Sequence, residues 1–177
     1  MARSVNDRLQ DETIAHGLYV TRYGTGVARR MVTLLNRMDA ELAARLLVLL
    51  EGKRADNYSA RRLASLLAGV RDLNQQAYEP VNAALMRELT RYADYETGYQ
   101  FDLFSSLIPG QVLKHVPLQS IVPEQVYAAA VAQPFQGRLL KEWGKKLESD
   151  RQEKITSAVR TGFLQGETVE QIVKRGA

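Results

Sequence analysis

The chain of 177 residues has no cysteine. That absence excludes disulfides, thiolate metal sites and thiol nucleophiles. Histidine is nearly absent, with only His16 and His115, far apart in sequence. A histidine metal site needs a close pair, such as i and i+4, so neither metal nor cofactor is expected. Long apolar runs are missing too. Leu46–Leu50 is little more than one helical turn, against the ~20 residues of a membrane span. The N-terminus carries no apolar stretch resembling a secretory signal. No nucleophile elbow, Walker loop or dinucleotide fingerprint occurs, and Gly24-Thr25-Gly26 lacks the third glycine of the last. No catalytic residue is assigned and no enzyme is expected.

What is present is ordinary for a folded protein: 45% hydrophobic and 25% charged residues. The net charge of +4 is unevenly spread. Residues 1–62 hold eleven Lys/Arg against seven Asp/Glu, residues 63–136 four against seven, and residues 137–177 nine against six. Two basic ends flank an acidic middle. The paired bases Arg29-Arg30, Lys53-Arg54 and Arg61-Arg62 are candidate phosphate contacts that would not read sequence. As solvated pairs they need no function.

Helical periodicity dominates. Val27, Met31, Leu34, Met38, Leu42, Leu46 and Leu49 step by three or four, and Val5, Leu9, Ile14 and Leu18 continue the stripe more loosely upstream. Ser4 or Asn6 can cap the start. Gly24 and Gly26 predict a kink or break near Tyr23–Gly26, since each costs a helix interior about 1 kcal/mol against alanine. Gly52 suits the end of this segment, Asp56-Asn57-Tyr58-Ser59 reads as a turn, and Ser59 can cap the next helix. That helix carries Leu63, Leu66, Leu67, Val70 and Leu73. Pro80 either begins a third helix or sits at a bend in the second. Val81, Leu85, Leu89, Tyr92, Tyr99 and Leu103 follow on a common face. Residues 105–122 contain Pro109 and Pro117 and break every helical template, so a proline-rich loop arm is expected there. Pro123 opens a short helix through Ala132, whose Ala128-Ala129-Ala130 run would allow close packing. A turn at 133–137 leads into a long helix with Leu140, Trp143, Leu147, Ile155, Ala158 and Phe163 or Gly162 near one stripe. Gly166 closes it, and Thr168 with Gln171 fits a capping box.

The fold class is therefore all-α, with long antiparallel helices in a bundle or helical hairpins and a loop arm at about 105–122. Three regions are read: 1–104, a long-helix region; 105–133, the arm and short helix; and 134–177, a C-terminal helical region. Together they form one extended helical domain. His16 reads as a solvated or cap-adjacent helix residue. Glu96, beside Tyr95 and Tyr99, is the one acidic residue on a largely apolar face. Such a carboxylate can serve as general acid or base, or as a structural acceptor. With no partner carboxylate, the structural role is preferred. Tyr92, Tyr95 and Tyr99 fit a core stripe or an interface.

The ordered set Pro134-Phe135-x-Gly137-x-x-Leu140-x-x-Trp143, then Arg160-x-Gly162 and Gly166-x-Thr168-x-x-Gln171-Ile172, resembles the phage minor head protein family, the Mu F-like head morphogenesis proteins. With Glu96 and the broken loop included, the resemblance runs from about Ala28 to Val173. It implies a minor virion component inside the capsid near the portal vertex, assembled in the host cytoplasm. Portal or other virion proteins, further copies of itself and packaged DNA would be its partners. Its role would be in head assembly and in DNA packaging or ejection. Stripes such as Leu34/Met38/Leu42 would dock on those partners. Family members usually continue beyond the short helix, so this chain is either a short member or part of a longer protein. A portal-proximal connector and a helical module that binds nucleic acid without sequence preference stay open as alternatives.

Overall fold

The computed structural model describes residues 4–51, 60–134 and 136–176. Among them are six helices and no strand: α1 Val5–Glu51, α2 Ala60–Leu107, α3 Gly110–His115, α4 Pro123–Ala132, α5 Leu140–Gln165 and α6 Val169–Gly176. The expected all-α class holds. The chain divides into two compact units: unit 1, Met1–Arg30 with Leu85–Pro134, and unit 2, Met31–Ala84 with Phe135–Ala177. These units cut across the three consecutive regions read from the sequence. The reason is that α1 and α2 pair antiparallel, so each unit takes a piece of both.

Unit 2 is built around an apolar core. Leu42, Leu46 and Leu50 of α1 meet Leu66 and Val70 of α2, Ile155 and Val159 of α5, and Val169 and Ile172 of α6. The three- and four-residue steps put these side chains on one face of each helix, and each burial contributes roughly 1.5–3 kcal/mol. Of the Leu34/Met38/Leu42 stripe, Met38 and Leu42 are buried inside unit 2 and are not a docking surface, while Leu34 is partly buried. Leu147 leaves the α5 stripe and is 50% exposed. The α5–α6 corner follows the sequence closely. Gly166 adopts the left-handed conformation, φ +66°, which a side chain would disfavour. The Thr168 hydroxyl accepts from the Gln171 N–H at 3.3 Å, and the Gln171 side chain accepts from the Thr168 N–H at 2.8 Å.

Two breakers in the sequence do not break the helices. α1 runs unbroken through Gly24 and Gly26. Tertiary bonds on either side, from Tyr23 and Arg30 to Glu88, outweigh the local cost. Pro80 lies inside α2, so it starts no third helix. Its flanking residues Tyr78 and Val81 are buried and hold the helix through a proline that alone costs ~3 kcal/mol or more.

In unit 1 the expected arm is shorter than 105–122. α2 continues to Leu107, and α3 occupies Gly110–His115. Pro109 precedes α3, where its carbonyl accepts from Val112 and Leu113 at 2.8 and 3.2 Å. Within the arm, Ile108-Pro109 and residues 116–122 stay irregular. α4 has the bounds expected, with Pro123 in its first turn, but Ala128–Ala130 is exposed rather than closely packed. Ser4 provides the α1 cap: its hydroxyl accepts from the Asp7 N–H at 3.1 Å while Asp7 accepts from the Ser4 N–H. Ile14 and Leu18 lie outside the inner stripe, 58% and 55% exposed.

Candidate functional site

The polar and aromatic side chains of unit 1 converge on one layer. His16, Tyr19 and Tyr23 fall on α1 at i, i+3 and i+7, and Tyr92, Tyr95 and Tyr99 fall on α2 at the same spacing. Antiparallel pairing interleaves the two rows. His16 stacks on Tyr99 with centroids 4.1 Å apart and planes 8° from parallel. Tyr19 meets Tyr95 at 4.4 Å and Tyr23 meets Tyr92 at 5.7 Å. Offset ring pairs of this kind contribute ~0.5–1.5 kcal/mol each beyond area burial.

Two carboxylates anchor the layer. Glu96 sits with Oε1 3.2 Å and Oε2 2.9 Å from His16 Nε2. Its Oε1 also accepts from the Gln100 amide at 2.7 Å. His16 Nδ1 is buried without a hydrogen-bond partner among the described residues. Glu88, also buried, accepts two bonds from Arg30 at 2.9 Å and one from the Tyr23 hydroxyl at 3.0 Å. The Arg30 guanidinium holds the Glu88 carboxyl below its ordinary value. Burial, and then the Glu96 charge, pushes the Tyr92 hydroxyl up to about 12. Burial also raises Tyr23, Tyr95 and Tyr99.

Beside this layer lies an open groove of about 390 Å³. Phe101, Phe104, Leu118, Ile121 and Val126 form its apolar wall, with Glu96, Thr97 and Gln100 at its polar side. Phe101, Phe104 and Ile121 are 40%, 43% and 59% exposed. The His16–Glu96 contact joins α1 to α2 through side chains. Among the described residues no three acidic or histidine side chains gather to hold a metal ion. Glu96 is hydrogen-bonded to His16 and Gln100. His16 is a correction: it lies inside the aromatic layer, its side chain only 14% exposed. The signal for it was the matched spacing of the two aromatic rows, which sequence reading applied to α2 alone.

The basic candidates scatter. Arg30 donates to Glu88 through Nε and Nη2, while its side chain stays 53% exposed. Arg29 is exposed on α1 and Arg61 on the first turn of α2. Lys53 and Arg54, like Gly52, the 56–59 turn and the Ser59 cap, lie outside the described residues, as does the Arg62 side chain.

Apart from Glu96 on α2, the residues that carry the resemblance lie in sequence around the start and end of α5. Pro134 and Gly137 are exposed, Gly137 with φ +77°, and Phe135 lies outside the described residues. Leu140 opens α5 half-buried. Trp143 is also half-buried, with the Arg138 guanidinium 5.2 Å from its ring centroid. Gly162 is buried where α6 crosses α5; a methyl there would overlap Ile172. The sequence offers Gly162 as a stripe position and as part of Arg160-x-Gly162; its packing role depends on a crossing that sequence spacing does not specify.

No protein-family model, no curated protein and no solved structure matches the chain. No helix among the described residues is long and apolar enough to cross a membrane.

Proposed function

We propose that the chain is a non-enzymatic minor head protein of a tailed bacteriophage. It works in the virion at the capsid interior beside the portal, aiding head assembly and DNA packaging or ejection. One observation carries this reading: four residues of the Mu F-like resemblance, Gly162, Gly166, Thr168 and Gln171, have packing and capping roles at the α5–α6 corner. Gly162 admits Ile172, Gly166 supplies the left-handed cap, and Thr168 with Gln171 caps α6. Fold-defining positions of this kind suit a scaffold that presents surfaces.

Those surfaces belong to unit 1, where the Phe101/Phe104/Ile121 groove and the outer face of α1 leave apolar side chains exposed. Portal or other virion proteins are the partners for the groove. Contact with packaged DNA would be non-specific, through exposed bases such as Arg61, and steeply salt-dependent.

Imaging of intact virions with the portal vertex resolved tests the assignment. Density for this chain inside the head beside the portal is expected. Its absence from particles, or density only on the outer side of the portal, sinks the assignment, the latter in favour of the connector alternative. A DNA mobility shift at low salt tests the nucleic-acid contact separately.

A further inference from the structure

The outer face of α1 has a pattern that the packing of unit 1 does not use. Ile14, Leu18, Thr21, Thr25 and Ala28 are all exposed. They follow one another at alternating steps of four and three residues, the average of 3.5 that a left-handed coiled coil requires. The inner face, by contrast, is marked by Leu9, His16, Val20, Tyr23 and Val27, each partly buried.

The two threonines do not spoil an apolar seam. Thr21 donates its hydroxyl to the Gly17 carbonyl at 2.9 Å, and Thr25 donates to the Thr21 carbonyl at 2.9 Å. Each hydroxyl is thus satisfied within α1, leaving the methyl as the group a neighbour would cover. On one flank of the seam stand Gly17 and Gly24, where an added methyl would meet nothing within 4 Å. A second helix can therefore approach α1 closely on that side.

Charge identifies the second helix. Residues 5–14 of α1 carry Asp7, Asp11 and Glu12 against Arg8. Residues 15–30 carry Arg22, Arg29 and Arg30 and no acid, with Arg30 also paired to Glu88 of α2. A copy of α1 laid antiparallel sets the acidic end of each helix against the basic end of the other. A parallel copy sets like charge against like. This segment is therefore complementary to itself in one orientation. We propose that two copies of the chain associate through this face of α1, as a two-fold, antiparallel helical seam. Pairing Leu18 with the partner's Thr21 places Ile14 opposite the partner's Thr25. The proposal rests on α1 alone and stands or falls separately from the virion assignment.

Sedimentation equilibrium of the full chain tests it. The expected mass is a dimer of the 19.9 kDa chain. Leu18→Glu and Ile14→Glu change exposed positions, so far-UV circular dichroism should be unchanged. Each should weaken the dimer roughly 100-fold or more, because a charge is taken out of water without a partner. A monomer at every concentration overturns the proposal. So does a dimer that survives Leu18→Glu but is lost in Phe104→Glu, which would move the contact to the groove. The cysteine-free background allows a test of orientation. An equimolar mixture of Ile14→Cys and Thr25→Cys chains should form a disulfide between the two variants. Cross-linking of each variant only to itself would indicate parallel helices and overturn the antiparallel seam.

Discussion

Units 1 and 2 are held together by different chemistry, although α1 and α2 supply residues to both. In unit 2, leucine, isoleucine and valine from four helices close a contiguous apolar core. In unit 1 the inner layer is histidine, tyrosine, glutamate and arginine, linked by stacking and hydrogen bonds. Most of the strongly exposed large apolar residues are also in unit 1, among them Ile14, Leu18, Phe101, Phe104, Val116 and Ile121. The hydrophobic effect scales with covered apolar area and has no direction. Hydrogen-bonded and stacked layers add less net stability but fix register and orientation. Unit 2 thus reads as the anchor of the fold, and unit 1 as the part that fixes a geometry and offers uncovered surface to partners.

The largest expected difference tests this contrast directly. Leu66, only 1% exposed, lies in the unit 2 core. Leu66→Ala should cost about 2–5 kcal/mol, as truncations in packed cores do. Phe104→Ala, at a 43% exposed site in unit 1, should cost less than about 1 kcal/mol. Urea unfolding of both variants measures the pair. Equal losses would mean that the Phe104 region is as fully packed as the leucine core, and the contrast would be gone.

A smaller effect sharpens the account of the α5–α6 corner. Gly162→Ala places a methyl into the buried Ile172 side chain. Overpacking of that kind costs typically about 1–3 kcal/mol. Ile172→Ala in the same chain should make the Gly162→Ala change cheaper, a coupling that a double-mutant cycle reads as non-additivity. Strict additivity would show that the two residues do not compete for the same space.

How much of this was legible in the sequence depends on how local each feature is. The α4 bounds, the Gly166 cap and the Thr168/Gln171 box follow from residues within one or two turns of one another, and all appear as expected. The leucine stripe of α1 was legible because burial repeats with the helical period. The continuity of α1 past Gly24 and Gly26, and of α2 past Pro80, was not legible. Each breaker is a local cost, and the contacts that offset it come from elsewhere in the chain: Glu88 for the glycines, and the packing of Tyr78 and Val81 for the proline. The His16–Glu96 pair was hidden for the same reason. Its members lie 80 residues apart, and only the antiparallel register joins them. Ile14 and Leu18 misled because a helix with apolar residues on both faces shows period without saying which face turns inward.

The subtlest difference between the units should appear as a response to pH. Glu88 in unit 1 has its carboxyl lowered from 4.5, first by its hydrogen bonds from Arg30. A lowered acid contributes stability that is present above the unfolded value and is lost as pH falls through the folded one. Unit 1 should therefore loosen as pH drops below the ordinary carboxylate range, and Glu88→Gln should flatten that acid limb. Tyr92 acts at the other end. Its folded value of about 12 stands above the 10.0 of a free tyrosine, with burial the main cause. Its contribution is complete below pH 10 and declines as pH rises toward 12, because the folded state holds the proton that the unfolded state releases. Tyr92→Phe should remove part of that alkaline decline. Trp143, the single tryptophan, lies in unit 2, so its fluorescence follows that unit, while tyrosinate absorbance follows mainly the unit 1 layer. On titration in either direction the unit 1 signals should change before the tryptophan signal does. Simultaneous loss of both across the whole range would show that the ion pairs and tyrosines of unit 1 stabilise the two units equally, and the division between an apolar anchor and a polar, partner-facing layer would have no energetic meaning.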